Sequence, residues 1–113
     1  MRTVEYVTVT GNPKDMEPKI DEFMRGMHFR KKVYKGENVW KTGGFWTSAK
    51  MIKISYLQST IKIEAFVLSF FGSEYEIDDK FVMSEPKAAL KAFFTRLVKH
   101  IRGMEYDKQH ENK

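Results

Sequence analysis

Aromatic side chains and lysines stand side by side between Val39 and Tyr56, in the segment VWKTGGFWTSAKMIKISY. Two aromatic residues and three lysines are its candidates for chemistry: Phe45, Trp46, Lys41, Lys50 and Lys53. Aromatic rings can stack on nucleobases while lysines contact phosphates, which is how many proteins hold single-stranded nucleic acid. The segment is therefore a candidate partner-binding site.

The same segment also has a purely structural interpretation. We predict that the ring of Trp40 closes the core where a hairpin meets a helix. For Phe45 and Trp46, both the core and a contact surface remain open. The pair Gly43 and Gly44 could form a nest of backbone amides for an anion. Because the pair precedes a strand and lacks phosphate-loop spacing, we interpret it as a turn that needs the backbone angles glycine reaches.

Basic residues are concentrated in one part of the chain. The 113 residues carry a formal net charge of +5, and between Arg25 and Lys53 eight basic residues accompany a single acidic one, Glu37. Here Arg30, Lys31 and Lys32 alternate across a short predicted strand, which indicates an edge position. Edge strands commonly carry lysine to prevent edge-to-edge pairing. A basic surface that contacts a partner through Arg30 and Lys32 is the functional alternative.

An acidic stretch lies further along the chain. It contains four carboxylates: Glu74, Glu76, Asp78 and Asp79. They could ligate a hard cation, but the stretch lacks the central glycine and the terminal glutamate of a calcium loop. We therefore interpret it as a solvated loop and predict no bound metal.

The residues that usually carry catalysis are few and scattered. His28, His100 and His110 share no metal-ligand spacing, and the chain has no cysteine. No serine stands in a nucleophile-elbow context. We predict no enzymatic activity and no cofactor. Strand-like alternation starts directly after the first residues, and no run is long enough to span a bilayer, so we expect a cytoplasmic bacterial protein without membrane contact.

The elements that must position these residues begin with a strand over residues 3–10. Apolar residues at spacings of three and four then predict a helix. Asp15 as N-cap, with Pro18 at the third helical position, is favoured over an earlier start at Asn12, and Gly26 ends the helix.

The residue pattern in the middle of the chain predicts a series of strands. FRKKVYK and NVWKT are joined at Lys35-Gly36-Glu37, where a tight hairpin is expected. KMIKISYL and TIKIEAFVLSFF follow, with the alternation of strands that bury one face. Residues 74–83 indicate a loop with a short strand. The last helix starts at Ser84 as N-cap and ends at Gly103.

These elements predict an α+β fold with the order strand, helix, four or five antiparallel strands, helix. Both helices must bury their apolar stripes against one face of a curved sheet, which gives two layers. The order is similar to TATA-binding-protein-like and helix-grip architectures, in which a sheet wraps a terminal helix, and this analogy carries no function. We expect one domain over residues 1–103 and a disordered tail over residues 104–113.

Several motifs together resemble those of a known family. They are Trp40, the Gly43-Gly44 turn, the run Ala49-Lys50-x-Ile52-Lys53-Ile54 and the strand Ile61-x-Ile63-x-Ala65-x-Val67. The pattern spans residues 8–100 and is similar to an uncharacterised bacterial domain family often found behind an amino-terminal zinc ribbon. The resemblance implies a stand-alone domain of unknown function. Because the chain has no ribbon cysteines, it implies no zinc-dependent role.

From these patterns we predict a small binding module that contacts an acidic protein surface or nucleic acid, or that forms a homodimer. Its contact residues belong to the basic hairpin and the aromatic loop: Phe45, Trp46, Lys41, Lys50, Lys53, Arg30 and Lys32. The alternative is a carrier of a small apolar ligand in a helix-grip cavity. Four apolar residues, together with methionines, are candidates to line it: Phe66, Leu68, Phe70 and Phe71.

Overall fold

The computed structural model describes residues 2–43, 48–69, 72–75, 77 and 85–110. Six strands and two α-helices follow one another in the order β1, α1, β2 to β6, α2. Their bounds are Thr3–Thr8 for β1, Glu17–Gly26 for α1, Arg30–Tyr34 for β2, Glu37–Gly43 for β3, Ala49–Tyr56 for β4, Thr60–Leu68 for β5, Glu74–Tyr75 for β6 and Glu85–His110 for α2.

The strands form one antiparallel sheet with the order β1-β5-β4-β3-β2. The short strand β6 pairs with Val67 and Leu68 of β5, beyond the end of the β1 pairing at Ala65. Strands β4 and β5 pair over their whole length, from Ala49 opposite Leu68 to Tyr56 opposite Ile61. The predicted α+β layout is therefore confirmed, and so is the edge position of β2.

One face of the sheet packs against both helices. Alternation places Ile52 of β4 and Ile63 of β5 on this face, and both are fully buried. The helices contribute buried side chains at spacings of three and four: Ile20, Met24, Leu90, Phe94, Leu97, Val98 and Ile101. Trp40 is 5% exposed within the same core, as predicted. This layer is the hydrophobic core of the fold.

The first helix starts differently from the prediction. Asp15 is not its N-cap: a 3₁₀ turn over Pro13–Met16 precedes α1, and the Asn12 side chain accepts a hydrogen bond from the Lys14 amide at 3.0 Å. Because Asn12 satisfies this amide one turn earlier, α1 continues directly from Met16, which makes no side-chain cap. The α-helix therefore starts at Glu17, one residue later than predicted, with Pro18 at its second position, and Asn12 caps only the 3₁₀ turn.

The hairpin between β2 and β3 closes at the expected place. Tyr34 lies opposite Glu37, so the loop consists of Lys35 and Gly36 alone. Both have a positive φ, 50° and 78°, which is the geometry of a type I′ turn. This turn matches the twist of the strands and fixes the register of the basic strand β2.

The last helix runs past its predicted end. We expected a stop at Gly103 and a disordered tail over 104–113, but α2 continues to His110. A helical glycine costs only about 1 kcal/mol, and a tertiary contact follows it. Glu105 is 6% exposed, and its Oε1 accepts hydrogen bonds from the amide and the hydroxyl of Thr10, each at 2.8 Å. Residues 111–113 lie outside the described part of the chain.

The acidic stretch contributes a short strand, as predicted. Glu74 and Tyr75 form β6, and Ile77 is fully buried with its amide 3.3 Å from the Thr3 hydroxyl oxygen. Residues 76 and 78–84, which include the predicted N-cap Ser84, lie outside the described residues. Within the described chain, neither helix is both long and apolar enough to cross a membrane.

Replacement of Glu105 tests whether the end of α2 belongs to the fold. We expect Glu105→Ala to lower the free energy of unfolding by about 1–3 kcal/mol, because Thr10 loses the acceptor of two hydrogen bonds. Urea denaturation followed by circular dichroism measures this change. The control is Asp107→Ala, an exposed position on the same helix, which should change stability by less than about 0.5 kcal/mol. Equal effects of the two variants would contradict the assignment.

Candidate functional site

The face of the sheet opposite the helices, the second face, carries most of the predicted contact residues. In an antiparallel pair, residues directly opposite each other lie on the same face. Arg30 lies opposite Lys41, and Lys32 lies opposite Val39. Lys41 in turn lies opposite Met51 of β4. Arg30, Lys32 and Lys41 therefore form one group on the second face of β2 and β3, which we call the hairpin cations.

The hairpin cations lack partners within the described chain. Arg30 and Lys32 are exposed, Lys41 is partly exposed, and none of the three forms an ion pair with a described residue. Like charges directly opposite each other on a sheet destabilise it, and Arg30 and Lys41 are such a pair. An anion placed between them would relieve this repulsion.

The other predicted contact residues separate from this group. Lys53 lies on the second face, but its Nζ donates a hydrogen bond to Glu37 Oε1 at 2.8 Å. Lys50 lies opposite Val67, on the face that carries the helices. Phe45 and Trp46 lie outside the described residues. The structure thus brings together three of the seven predicted residues and assigns Lys53 an internal partner.

A second apolar cluster lies on the second face. Its buried members are Val39, Ala49, Met51 and Phe66, with Tyr34 and Leu68 packed against them. The Arg2 guanidinium lies 4.2 Å above the centre of the Phe66 ring, and the Tyr34 ring lies 5.7 Å from it. Such a cation–π contact contributes about 0.5–2 kcal/mol. Arg2 and Tyr34 therefore cover Phe66 where no helix does so among the described residues.

This placement corrects the cavity prediction. Phe66 and Leu68 cannot line a cavity between the sheet and the helices, because both lie on the opposite face. The other two predicted lining residues, Phe70 and Phe71, lie outside the described residues. No contact of the described residues supports the carrier alternative.

A network of charged side chains spans the second face; we call it the Arg2 network. Its members are Arg2, Tyr34, Glu37, Lys53, Glu64 and Glu74. The Arg2 guanidinium contacts Glu37 Oε2 at 2.8 Å, Glu74 Oε1 at 3.0 Å and, more weakly, Glu64 Oε1 at 3.5 Å. The Arg2 side chain is 14% exposed. One cation thus connects β3, β5 and β6.

One hydrogen bond of the Arg2 network shows that the sheet is curved. The Tyr34 hydroxyl donates a hydrogen bond to Glu74 Oε2 at 2.8 Å, which joins β2 to β6. Four strand spacings separate these strands, or about 19 Å in a flat sheet. Tyrosine and glutamate side chains cannot bridge that distance. The sheet therefore curves toward its second face, which brings β2 close to β6.

The Arg2 network shifts the pKa values of its members. Hydrogen bonds from Arg2, and then from Lys53, lower the pKa of Glu37 to about 2. The Arg2 hydrogen bond also lowers the pKa of Glu74. Burial, followed by the bond to Glu74, raises the pKa of Tyr34. Ionised carboxylates are thus favoured in the folded chain, and the charges of Arg2 and Lys53 are used inside the fold.

The remaining candidate groups do not converge. His28 lies after α1 with a φ of 68°, His100 stacks on Phe23 at 4.2 Å, and His110 contacts the Tyr106 carbonyl oxygen. Within the described ranges no three histidine, aspartate or glutamate residues are placed to hold a metal ion. The Gly43 φ of 76° agrees with the turn interpretation, and Gly44 lies outside the described residues.

Sequence reasoning missed most of the Arg2 network. Arg2 and Glu64 did not enter the candidate list, and Glu74 was assigned to a solvated loop, whereas it binds Arg2 and Tyr34. The contacts of Arg2 join residues that are 35 and 72 positions apart in the sequence, so no local sequence motif predicts them.

Comparisons of the chain with protein-family models, with curated proteins and with solved structures give no match. The resemblance to the domain family that follows zinc ribbons therefore stays a prediction, as does the likeness to TATA-binding-protein-like architectures.

The Arg2 network predicts a specific loss of stability in acid. A carboxylate whose folded pKa lies below its unfolded value contributes stability above that value, about 4.3 for glutamate, and loses it as the pH falls toward the folded pKa. We expect Arg2→Met to be less stable than the parent by about 1–2 kcal/mol at pH 7, after allowance for solvent screening. In Arg2→Met, Glu37 and Glu74 lack the partner that lowers their pKa in the parent. The difference in the free energy of unfolding between the parent and the variant should therefore shrink as the pH falls from 5 to 2.

Urea denaturation at a series of pH values measures this difference. The matched control is Arg102→Met, since Arg102 pairs with Glu5 at 3.6 Å and both side chains are about half exposed, so it should have little effect. Parallel stability profiles for the parent and Arg2→Met would show that the network does not carry the acid sensitivity.

Proposed function

We propose that this chain is a non-enzymatic binding module that holds an acidic protein partner against the hairpin cations. The observation that carries the proposal is the contrast between two sets of basic residues on one face. Arg2 and Lys53 have internal carboxylate partners, whereas Arg30, Lys32 and Lys41 have no ion pair within the described chain and lie together on one hairpin. Lys62 of β5 also lies on this face without a described ion pair, but it stands alone. The second set is available to an external anion.

The arrangement of the hairpin cations favours such a partner. Three positive charges on two adjacent strands attract carboxylates during encounter and fix their orientation afterwards. The register of the hairpin is fixed by its two-residue turn. The binding groups are therefore placed before the partner arrives, which reduces the ordering cost of association.

A protein partner fits this surface better than nucleic acid does. A nucleic-acid strand laid across the second face would move from the hairpin cations onto the carboxylates of Glu37, Glu64 and Glu74, which face the same side. Base stacking also needs accessible rings beside the cations, but the Tyr34 ring is packed on Phe66, and the exposed ring of Tyr6 lies on β1, at the other end of the strand order from the hairpin. Trp40 is buried on the helix side. A compact group of carboxylates avoids both difficulties.

The aromatic loop, which contains Phe45 and Trp46, is included in the proposal because of its sequence alone. The strand that carries Lys41 ends at Gly43, which pairs with Ala49. Phe45 and Trp46 belong to the segment between these two residues and lie outside the described chain. In the proposed module they supply apolar contacts beside the positive charges.

Titration with poly-L-glutamate tests the proposal. The triple variant Arg30→Gln, Lys32→Gln, Lys41→Gln should bind it at least about tenfold more weakly than the parent, since about 1.4 kcal/mol is lost over three contacts. Parent binding should weaken as salt is raised. The matched control is Lys14→Gln, Lys19→Gln, Lys99→Gln, which removes the same charge from exposed positions outside the sheet.

The two triple variants separate a defined surface from general attraction. Equal losses in both would contradict the proposal, as would binding that salt does not affect. A single-stranded DNA oligonucleotide serves as the competing probe at the same ionic strength. Tighter binding of the DNA, lost in the hairpin triple variant, would replace the acidic protein partner with nucleic acid.

A further inference from the structure

The free edge of β2 exposes a defined set of backbone groups. In a hairpin closed by a two-residue turn, the residues that flank the turn exchange both backbone hydrogen bonds. Tyr34 and Glu37 are these residues here, so the bonded positions of β2 are Tyr34, Lys32 and Arg30. The N–H and C=O groups of Lys31 and Val33 therefore point away from β3, toward the open edge.

No described group covers this edge. β2 is the last strand in the order of the sheet, and no backbone hydrogen bond beyond the hairpin reaches Lys31 or Val33 within the described chain. Val33 is 74% exposed, an unusual amount for a β-branched residue in a strand. The Lys31 side chain is held on the helix side by a 2.7 Å bond to Asp21, and Lys31 as a whole residue is exposed.

We infer that the edge of β2 accepts an extended acidic segment of the partner protein as an added strand. The inference rests on the proposed function and names the form of the partner. An incoming residue opposite Arg30 or Lys32 shares the face of the hairpin cations, where a carboxylate is favoured. A residue opposite Val33 lies on the other face, where a β-branched apolar side chain is favoured. The segment therefore alternates acidic and apolar residues.

The charge of the edge argues against a second copy of this chain as the added strand. In a symmetric antiparallel pair of two β2 strands, Lys31 and Val33 of one copy must lie opposite Lys31 or Val33 of the other, because only their backbone groups point toward the partner strand. This condition permits three registers. With Lys31 opposite Val33 of the other copy, Lys32 lies opposite Lys32. With Lys31 opposite itself, Arg30 lies opposite Lys32, and with Val33 opposite itself, Lys31 lies opposite Lys35. Each register opposes two basic residues, which destabilises the pair.

The test compares two acetylated and amidated peptides of the sequence Glu-Val-Glu-Val-Glu-Val. In the second peptide every valine is N-methylated, which keeps the charge but removes the N–H groups that would face Lys31 and Val33. We expect the unmodified peptide to bind at least about tenfold more tightly. By NMR, it should slow hydrogen exchange at the amides of Lys31 and Val33 and leave exchange at Arg30 and Lys32 unchanged.

Two protein variants complete the test. Val33→Pro removes an N–H that points away from β3, and proline is tolerated on edge strands, so this variant should keep its fold and lose the preference for the unmodified peptide. Val33→Thr is the control and should retain the preference. Unchanged circular dichroism and thermal unfolding establish that both variants are folded.

The outcomes distinguish this inference from the proposed function. Equal binding of both peptides, abolished in the hairpin triple variant, would overturn strand addition and leave the acidic partner intact. If neither peptide nor poly-L-glutamate bound, the proposed function itself would fail. Concentration-dependent dimerisation, with exchange at Lys31 and Val33 slowed in the absence of peptide, would identify a second copy as the occupant and overturn the inference.

Discussion

The two central strands bury consecutive residues, and a sheet of this kind needs a cover on both faces. Met51 and Ile52 are 1% and 0% exposed, although they point to opposite sides of β4. Helices α1 and α2 cover the side of Ile52. On the side of Met51, Arg2 and Tyr34 lie over the neighbouring Phe66. The second cover is polar at its outer surface, because the guanidinium that touches the ring also binds carboxylates.

This cover divides the basic residues of the second face into those with carboxylate partners and those without a described ion pair. Placing Arg2 over an apolar ring requires carboxylates beside it, and the residues that supply them come from β3, β5 and β6. The cations nearest to those carboxylates, Arg2 and Lys53, form ion pairs with them inside the fold. The hairpin cations lie on the same two strands as Tyr34 and Glu37 but farther from the turn, where Arg30 pairs with Lys41 and Lys32 with Val39. The charges that are paired inside the fold and those proposed to bind a partner are thus separated by their distance from the turn of the hairpin.

Local periodicity was sufficient to predict the strands, the helical stripe of α2 and the edge position of β2. It could also have separated Lys50 from Lys53, since residues three apart on a strand face opposite sides. The Arg2 network depends on pairs 35 and 72 residues apart, which leave no local pattern. The end of α2 was missed for the same reason, because Glu105 accepts hydrogen bonds from the amide and the hydroxyl of Thr10, near the other end of the chain.

The proposed function requires that the hairpin, and not the overall positive charge, is the binding surface of this protein. Chemical-shift mapping of the ¹⁵N-labelled chain during titration with poly-L-glutamate tests it most directly, because each amide reports its own surroundings. We predict that the shifts concentrate in residues 30–34 and 37–41. Shifts spread evenly over α1 and α2, with the hairpin unchanged, would contradict the account.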